Sequence, residues 1–252
     1  LKSGRLVGMS KVLVIGDSCT DIFVYGDIKR VCPEAPVPVF NPTHQTKNDG
    51  MAKNVVRNLE ALGCDVEFIS NDNSIKKVRY VDNRSNQMVL RVDENDKCRS
   101  ISNNEFDYID NYGKTFDVVI ISDYCKGFLD EEDICYIADK CNNVFLDTKK
   151  EIGDWANDVD FIKINELEYE KNYKGKPNND KLIVTLGSKG CQYMGETFPV
   201  DEVSVKDVSG AGDTFMSGLV VKYIETLDIR KAINFAQECT TKVVQKPGVV
   251  TI

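Results

Sequence analysis

The chain has 252 residues, 42% of them hydrophobic, and carries 32 basic against 40 acidic side chains, for a net charge of −8. That length supports a core of its own, as one large domain or one domain with a small appendage, and the acidic balance excludes a general nucleic-acid footprint and a polybasic membrane surface. No run is long enough to span a bilayer, and nine scattered cysteines, none in a C-x-x-C pair and with His44 the sole histidine, point away from structural zinc and toward reduced thiols in a cytoplasmic protein.

Residues 1–10 carry no pattern. The apolar run 12–15 closes at Gly16-Asp17 and reads as a central parallel strand. Asp17 and Asp21 lie just past its C-terminal end, where open α/β sheets bind ligands. Residues 22–26 read as a strand, and Pro33, Pro36 and Pro38 keep the chain extended as far as Val39 and Phe40. Gly50 and Asn54 stand at the start of a helix whose apolar stripe is Val55, Leu59 and Leu62 and which ends at Gly63. Such a start offers unpaired N–H groups to an anion or a hydroxyl. After a strand at 66–70, the segments 76–80 and 88–93, joined by 82–86, read as a β-hairpin. Together with 22–40 it makes a small sheet, whose apolar face must cover either the active site or a second subunit.

From residue 105 onward β and α alternate. Strands at 118–121, 144–146, 161–164 and 182–185 end in Ser122-Asp123-Tyr124, Asp147-Thr148-Lys149, the segment 165–168, and the segment 186–190. Residues 131–141 form a helix, 171–181 a polar surface loop, and 191–194 with 196–200 a hairpin. Polar residues at so many strand ends along one edge of one sheet converge in space. The stretch 207–218 then places Gly210-Ala211-Gly212 directly before Asp213 and a helix marked by Phe215, Leu219 and Tyr223. A glycine turn opening a helix is an anion site, and a carboxylate beside it can accept a proton, which together suit phosphoryl transfer to a hydroxyl. Taken alone, Asp213 also reads as a helix N-cap. A last helix spans 229–244, with Ala232, Phe235, Ala236 and Cys239 facing inward.

The Gly-Ala-Gly-Asp stretch resembles the C-terminal signature of the ribokinase/phosphofructokinase-B sugar kinases, and residues 50–54 resemble their N-terminal signature. Further blocks resemble the heptose 7-phosphate kinase branch of that family. They are Gly16-Asp17-x-x-x-Asp21-x-x-x-Tyr25-Gly26, Pro33-Glu34-Ala35-Pro36-Val37-Pro38-Val39, Arg84-x-Asn86-Gln87-x-x-x-Arg91-x-Asp93, Ser122-Asp123-Tyr124-x-Lys126-Gly127 and Asp147-x-Lys149. The resemblance runs in order from residue 11 to the C-terminus. It implies one ribokinase-like domain over residues 1–252, a three-layer α/β/α sandwich with a small β-sheet lid whose strands lie near 20–40 and 76–93. It also implies a cytoplasmic enzyme that uses ATP and Mg²⁺ to phosphorylate a sugar hydroxyl, in that branch converting D-glycero-D-manno-heptose 7-phosphate to the 1,7-bisphosphate.

Carried over by position, Asp213 is the catalytic base, and Gly210, Ala211 and Gly212 supply the anion hole. Asp17, Asp21, Gly50 and Asn54 hold the sugar, with Arg84 and Asn86 reaching in from the lid. Asn165 and Glu168 match an Asn-x-x-Glu motif that organises phosphate and magnesium, with Glu168 on the metal side. Thr185, Gly187, Ser188 and Gly190 line the nucleotide site. The implied partners are a sugar or sugar phosphate and ATP, neither nucleic acid nor membrane, and a second copy docked through the lid. Three departures stand out. The family's Gly-Gly is Gly50-Met51 here, with Lys53 in place of a small residue; a helix and strand between Ser70 and Lys76 are missing; and there is no nucleotidyltransferase domain. They keep open a kinase for another sugar and a decayed, non-catalytic sugar- or nucleotide-binding homologue.

Overall fold

The computed structural model describes residues 9–72, 75–172, 180–246 and 248–252. Most of the unpatterned start, part of the shortened stretch after Ser70 and most of the expected loop at 171–181 lie outside the described residues.

In chain order the elements are β1 (Lys11–Gly16), β2 (Ser18–Val31), β3 (Pro38–Met51), α1 (Ala52–Ala61), β4 (Asp65–Ser70), β5 (Lys76–Asp82), β6 (Met88–Glu94), α2 (Asn103–Tyr112), β7 (Val118–Asp123), α3 (Glu131–Lys140), β8 (Val144–Thr148), β9 (Phe161–Asn165), α4 (Glu166–Asn172), β10 (Leu182–Thr185), β11 (Cys191–Tyr193), β12 (Glu196–Phe198), α5 (Ala211–Thr226) and α6 (Ile229–Val244). The large sheet has eight strands in the order β12-β11-β10-β9-β8-β7-β1-β4. Pairing is parallel from β4 to β10, and β11 and β12 add an antiparallel edge.

The continuous apolar runs of β1, β7 and β8 reflect burial on both faces. Alternate residues feed two cores. Leu13, Ile15, Val119, Ile121 and Leu146 pack toward Ile109 of α2 and Ile134 and Ile137 of α3. Val12, Val14, Val118, Ile120 and Phe145 pack toward α1, α5 and α6 through Val55, Leu59, Phe215, Leu219, Ala232 and Ala236. Helices on both faces of one sheet make the three layers. Among the described residues, no helix is long and apolar enough to cross a membrane.

The second sheet has four strands, ordered β3-β2-β5-β6. Its register sets Asp21 opposite Lys77, Phe23 opposite Arg79, Arg79 opposite Arg91, and Lys77 opposite Asp93. Strand alternation puts those side chains on one face and Ile22, Val24, Val78, Tyr80, Leu90 and Val92 on the other.

Several elements differ from expectation. β3 runs on to Met51, although residues 41–48 show no apolar alternation. It is an edge strand whose middle is exposed, so burial imposes no pattern on it. α2 is a helix that the sequence reading did not separate from its surroundings; its capping box joins Ser102 and Glu105. Phe235 is half-buried under the Lys222 ammonium, and Ile233 takes the inward place instead.

Candidate active site at the Gly-Ala-Gly-Asp loop

Gly210 is the N-cap of α5, with φ +77°, a conformation open to glycine at little cost. No side chain caps this end; the Ala211 N–H donates to Val208 O at 3.1 Å, and the N–H groups that follow it in the first turn remain available to an anion, at the positive end of the helix dipole. The neighbouring space also demands small residues. A methyl group on Gly210 would lie 2.7 Å from Asn54 Nδ2, and one on Gly212 would lie 3.0 Å from Lys163 Nζ.

This turn divides two cavities. The larger, about 320 Å³, is lined by Thr185, Gly187, Ser188 and Gly190, by Val200, Val203, Val205 and Val208, and by Ala211, Gly212, Phe215 and Gln237. The smaller, about 180 Å³, is lined by Asp21, Gly50, Met51, Asn54, Lys77, Arg79, Tyr124, Ser209, Gly210, Asp213 and Val249. One is mainly apolar; the other is rich in charge.

Asp213 is 5% exposed. Its Oδ2 accepts a hydrogen bond from Asn54 Nδ2 at 2.8 Å and its Oδ1 one from the Tyr124 hydroxyl at 2.7 Å. Burial raises its pKa above the ordinary 3.8; the two hydrogen bonds and Lys163 pull it down, Asp147 pushes it up, and the net shift is upward. Asn54 Oδ1 is buried with no hydrogen-bond partner among the described residues, an acceptor open to a hydroxyl. On the other side of the turn, the buried Lys163 is held by Asp147 at 2.6 Å.

Of the residues singled out in the sequence, Thr185, Gly187, Ser188, Gly190, Ala211 and Gly212 share the larger cavity, and Asp21, Gly50, Asn54, Gly210 and Asp213 share the smaller. Gly50 has a geometric reason to be glycine, since a methyl group there would lie 2.5 Å from Asp21 Oδ2.

Asp17 is a correction. It is 1% exposed and lines neither cavity. Its Oδ2 accepts from the backbone N–H groups of Tyr124 at 2.7 Å and Lys126 at 3.3 Å, and its Oδ1 from that of Phe128 at 3.3 Å. It fixes the loop that presents Tyr124 rather than facing a ligand. Arg84 and Asn86 also depart from expectation, for they sit exposed on the turn between β5 and β6 and line neither cavity. Asn165 and Glu168 form a reciprocal cap at α4, with Glu168 Oε2 accepting from the Asn165 N–H at 2.9 Å and Asn165 Oδ1 accepting from the Glu168 N–H at 2.8 Å. Glu168 Oε1 meets Lys149 Nζ at 2.6 Å; burial pushes its pKa up, but Lys149 and the Asn165 N–H outweigh it and hold the carboxylate below its ordinary range.

Lys53 pairs with Asp49 at 3.0 Å and lines neither cavity. Met51 does line the smaller one, with φ +59° and ψ −138°, a backbone region nearly reserved for glycine. Such a residue costs about 1–3 kcal/mol. Its side chain is 4% exposed and packs with Cys19 and Ile75, and full burial of a methionine contributes about as much, 1.5–3 kcal/mol.

Lys77, Arg79 and Lys163 were not singled out as site residues by the sequence, and Tyr124 and Asp147 were marked only as polar strand-end residues without a role of their own. One signal was available: alternation along 76–80 puts Lys77 and Arg79 on one face of a strand otherwise marked by Val78 and Tyr80.

Residues 76–252 match the pfkB family carbohydrate kinase family. The chain is 32% identical to the bifunctional protein HldE of Helicobacter pylori strain J99, over 95% of this chain and 64% of that protein. It is 30% identical to that of Campylobacter jejuni strain RM1221, over 96% of this chain and 62% of the relative. It therefore spans less than two thirds of the length of these curated relatives. Among solved structures it is similar to a ribokinase from Thermotoga maritima, with TM-score 0.68 and 18% identity over 96% of this chain and 95% of that one. It is also similar to the Arabidopsis thaliana ribokinase complexed with ribose and ATP, with TM-score 0.67 and 17% identity over 96% and 94%. At such identities the structural likeness shows the ribokinase fold alone, but the family match covers well over half of the sequence, and the chain belongs to the pfkB family of carbohydrate kinases.

Proposed function

We propose that this carbohydrate kinase transfers the γ-phosphoryl group of ATP to D-glycero-D-manno-heptose 7-phosphate, giving the 1,7-bisphosphate. The observation that carries the reaction is the position of Asp213 and the Gly210–Gly212 turn between an apolar cavity and a charged one. ATP fits the larger, with its base among the valines and its phosphates toward Ala211 and Gly212. The sugar fits the smaller, where Asp21 and Asn54 offer hydroxyl partners. The heptose itself is suggested by the likeness to the HldE proteins.

The acceptor hydroxyl comes to Asp213, which takes its proton as the O–P bond forms. Asn54 and Tyr124 hold that carboxylate in place. The loop N–H groups, with Lys163 beside Gly212, face the charge spread over the transferring phosphoryl group. Magnesium finds one ionised hard oxygen group here, Glu168, and no cluster of carboxylate, histidine or cysteine ligands among the described residues, so the ion would take most of its shell from water and phosphate. When bound it would offset phosphate charge, with Glu168 the residue to hold it.

Two copies would join through the outer face of the small sheet, where Met88 is 56% and Leu90 54% exposed beside Val92 and Tyr80. An apolar strand face of that kind needs cover. A monomer in light scattering at micromolar concentration would rule this out.

The kinase proposal is tested by ADP release in the presence of the heptose 7-phosphate, ATP and Mg²⁺, run beside Asp213→Asn. Sugar-dependent release that the substitution abolishes supports it. ATP binding with no release on any sugar phosphate would favour a non-catalytic binding protein instead.

A further inference from the structure

Both oxygens of Asp213 are engaged. Oδ2 accepts from Asn54 Nδ2 at 2.8 Å, and Oδ1 accepts from the Tyr124 hydroxyl at 2.7 Å. The two bonds differ in kind. A hydroxyl donating to this carboxylate makes the contact that an acceptor hydroxyl must make before it gives up its proton. Burial and the Asp213 and Asp147 carboxylates push the Tyr124 pKa well above the ordinary 10, so the phenol keeps its proton and stays the donor.

Holding that hydroxyl in place costs the chain buried charge and backbone strain. β7 ends at Asp123, and Tyr124 follows it. Asp17 accepts from the N–H groups of Tyr124 at 2.7 Å and Lys126 at 3.3 Å, and Asp123 from that of Cys125 at 3.0 Å. The two carboxylates are 1% and 2% exposed, and burial and Asp123 together raise the pKa of Asp17. Cys125 sits at φ +56°, where a side chain is strained. The ammonium groups of Lys77 and Lys149 lie 5.5 and 5.1 Å from the centroid of the Tyr124 ring. A loop fixed at such cost, with its hydroxyl on the proposed base, points to a role for that hydroxyl.

The smaller cavity, about 180 Å³, has room for several waters when no sugar fills it. A water donating to Asp213 would be activated as a sugar hydroxyl is. Its oxygen bonds to the γ-phosphorus of ATP, its proton goes to Asp213 and the bond to ADP breaks, leaving ADP and inorganic phosphate. With the phenol on Oδ1, water competes against a donor that is already positioned. A sugar brings further contacts to Asp21 and to the unpartnered Asn54 Oδ1, which water cannot make together.

We propose that Tyr124 determines acceptor specificity: its hydroxyl holds the acceptor position at Asp213 against water until a sugar hydroxyl displaces it, and so keeps the chain from hydrolysing ATP. The proposal rests on the kinase reading above and adds to it what happens when ATP is bound without sugar.

The test measures ADP release from ATP and Mg²⁺, with and without D-glycero-D-manno-heptose 7-phosphate. It compares the unsubstituted chain, Tyr124→Phe, and Tyr124→Phe combined with Asp213→Asn. Tyr124→Phe keeps the ring and removes only the hydroxyl. The sugar-independent rate should rise relative to the sugar-dependent one by about 10- to 100-fold, the size of one hydrogen bond to a charged group, and the rise should vanish in the double variant. A residue that only supports the fold would lower both rates together, so an equal loss or an unchanged ratio overturns the proposal. A rise that survives Asp213→Asn overturns it as well, because the attacking water is then not the one at Asp213. The two readings fail separately. Sugar-dependent release with an unchanged ratio leaves the kinase standing and removes the role of Tyr124. No sugar-dependent release from the unsubstituted chain, with an Asp213-dependent rise in Tyr124→Phe, sinks the sugar kinase and keeps Tyr124 as the residue that excludes water. A melting transition that still rises with ADP shows that each variant is folded; where Tyr124→Phe fails that check, Tyr124→Met carries the same readout.

Discussion

Asp213 is pulled two ways. Burial favours its protonated form, whereas hydrogen bonds from Asn54 and Tyr124 favour the carboxylate. A base must be ionised to work, so turnover should fall as pH drops, along a limb centred above the ordinary 3.8. Tyr124→Phe removes a donor that lowers the pKa, and the limb should then move to higher pH. A kcat/KM profile whose acid limb stays in place in Tyr124→Phe would assign it to another group. Asp213→Asn should lower kcat by about 10²- to 10⁴-fold, the usual share of a positioned general base. Lys163 and Asp147 pose a separate residue-scale problem. Their side chains are 6% and 10% exposed and 2.6 Å apart. Removing one partner strands the other, so Asp147→Ala should destabilise the fold by about 3–5 kcal/mol in a denaturant titration. A change below about 1 kcal/mol would mean that water reaches the ammonium.

Element ends decide much of what the site contains. Gly50 closes β3 against Asp21, and Gly50→Ala would push its methyl group to 2.5 Å from Asp21 Oδ2. The expected result is a raised KM for the sugar with little change in KM for ATP, because Asp21 lines only the smaller cavity. Equal effects on both substrates would mean a general distortion of α1. Far from the site, α2 depends on its cap. Burial raises the Glu105 pKa, but Arg99 and the Ser102 hydroxyl and N–H outweigh it, bringing it from 4.5 to about 2. The unfolded chain binds this proton near 4.5 and the folded chain only near 2, so the contribution to stability is complete above 4.5 and is lost as pH falls toward 2. Glu105→Gln should lower the melting temperature at neutral pH, by an amount that shrinks across that window. The Arg99 partner is 45% exposed, so the effect is modest.

Across the whole molecule, the large sheet brings distant segments to one edge. Asn54 and Asp213, 159 residues apart, share a hydrogen bond, as do Tyr124 and Asp213 across 89 residues. The small sheet then sets its charged face over the smaller cavity and leaves its apolar face outward. If that outer face joins two copies, Leu90→Lys should give monomers in light scattering while the unsubstituted chain gives dimers. Monomers in both would leave the apolar strand without a role in assembly.

The sequence alone determined the parallel strands, because double-sided burial writes unbroken apolar runs into β1, β7 and β8. It also marked the Gly-Ala-Gly-Asp turn, because glycine at positive φ next to a helix start leaves few alternatives. Tertiary structure decided which of two nearby carboxylates faces the cavity. Asp17 and Asp21 look alike in the chain, but Asp17 precedes β2 and turns under the 124–128 loop, while alternation within β2 aims Asp21 at the site. It decided β3 as well, since an exposed edge strand is not constrained by burial to any apolar pattern. Lys163 and Asp147 belong to it too. Each sits in a short apolar strand, and their roles exist only where β8 and β9 lie side by side beneath the α5 turn. Local periodicity records what each segment buries; it does not record which buried charges meet.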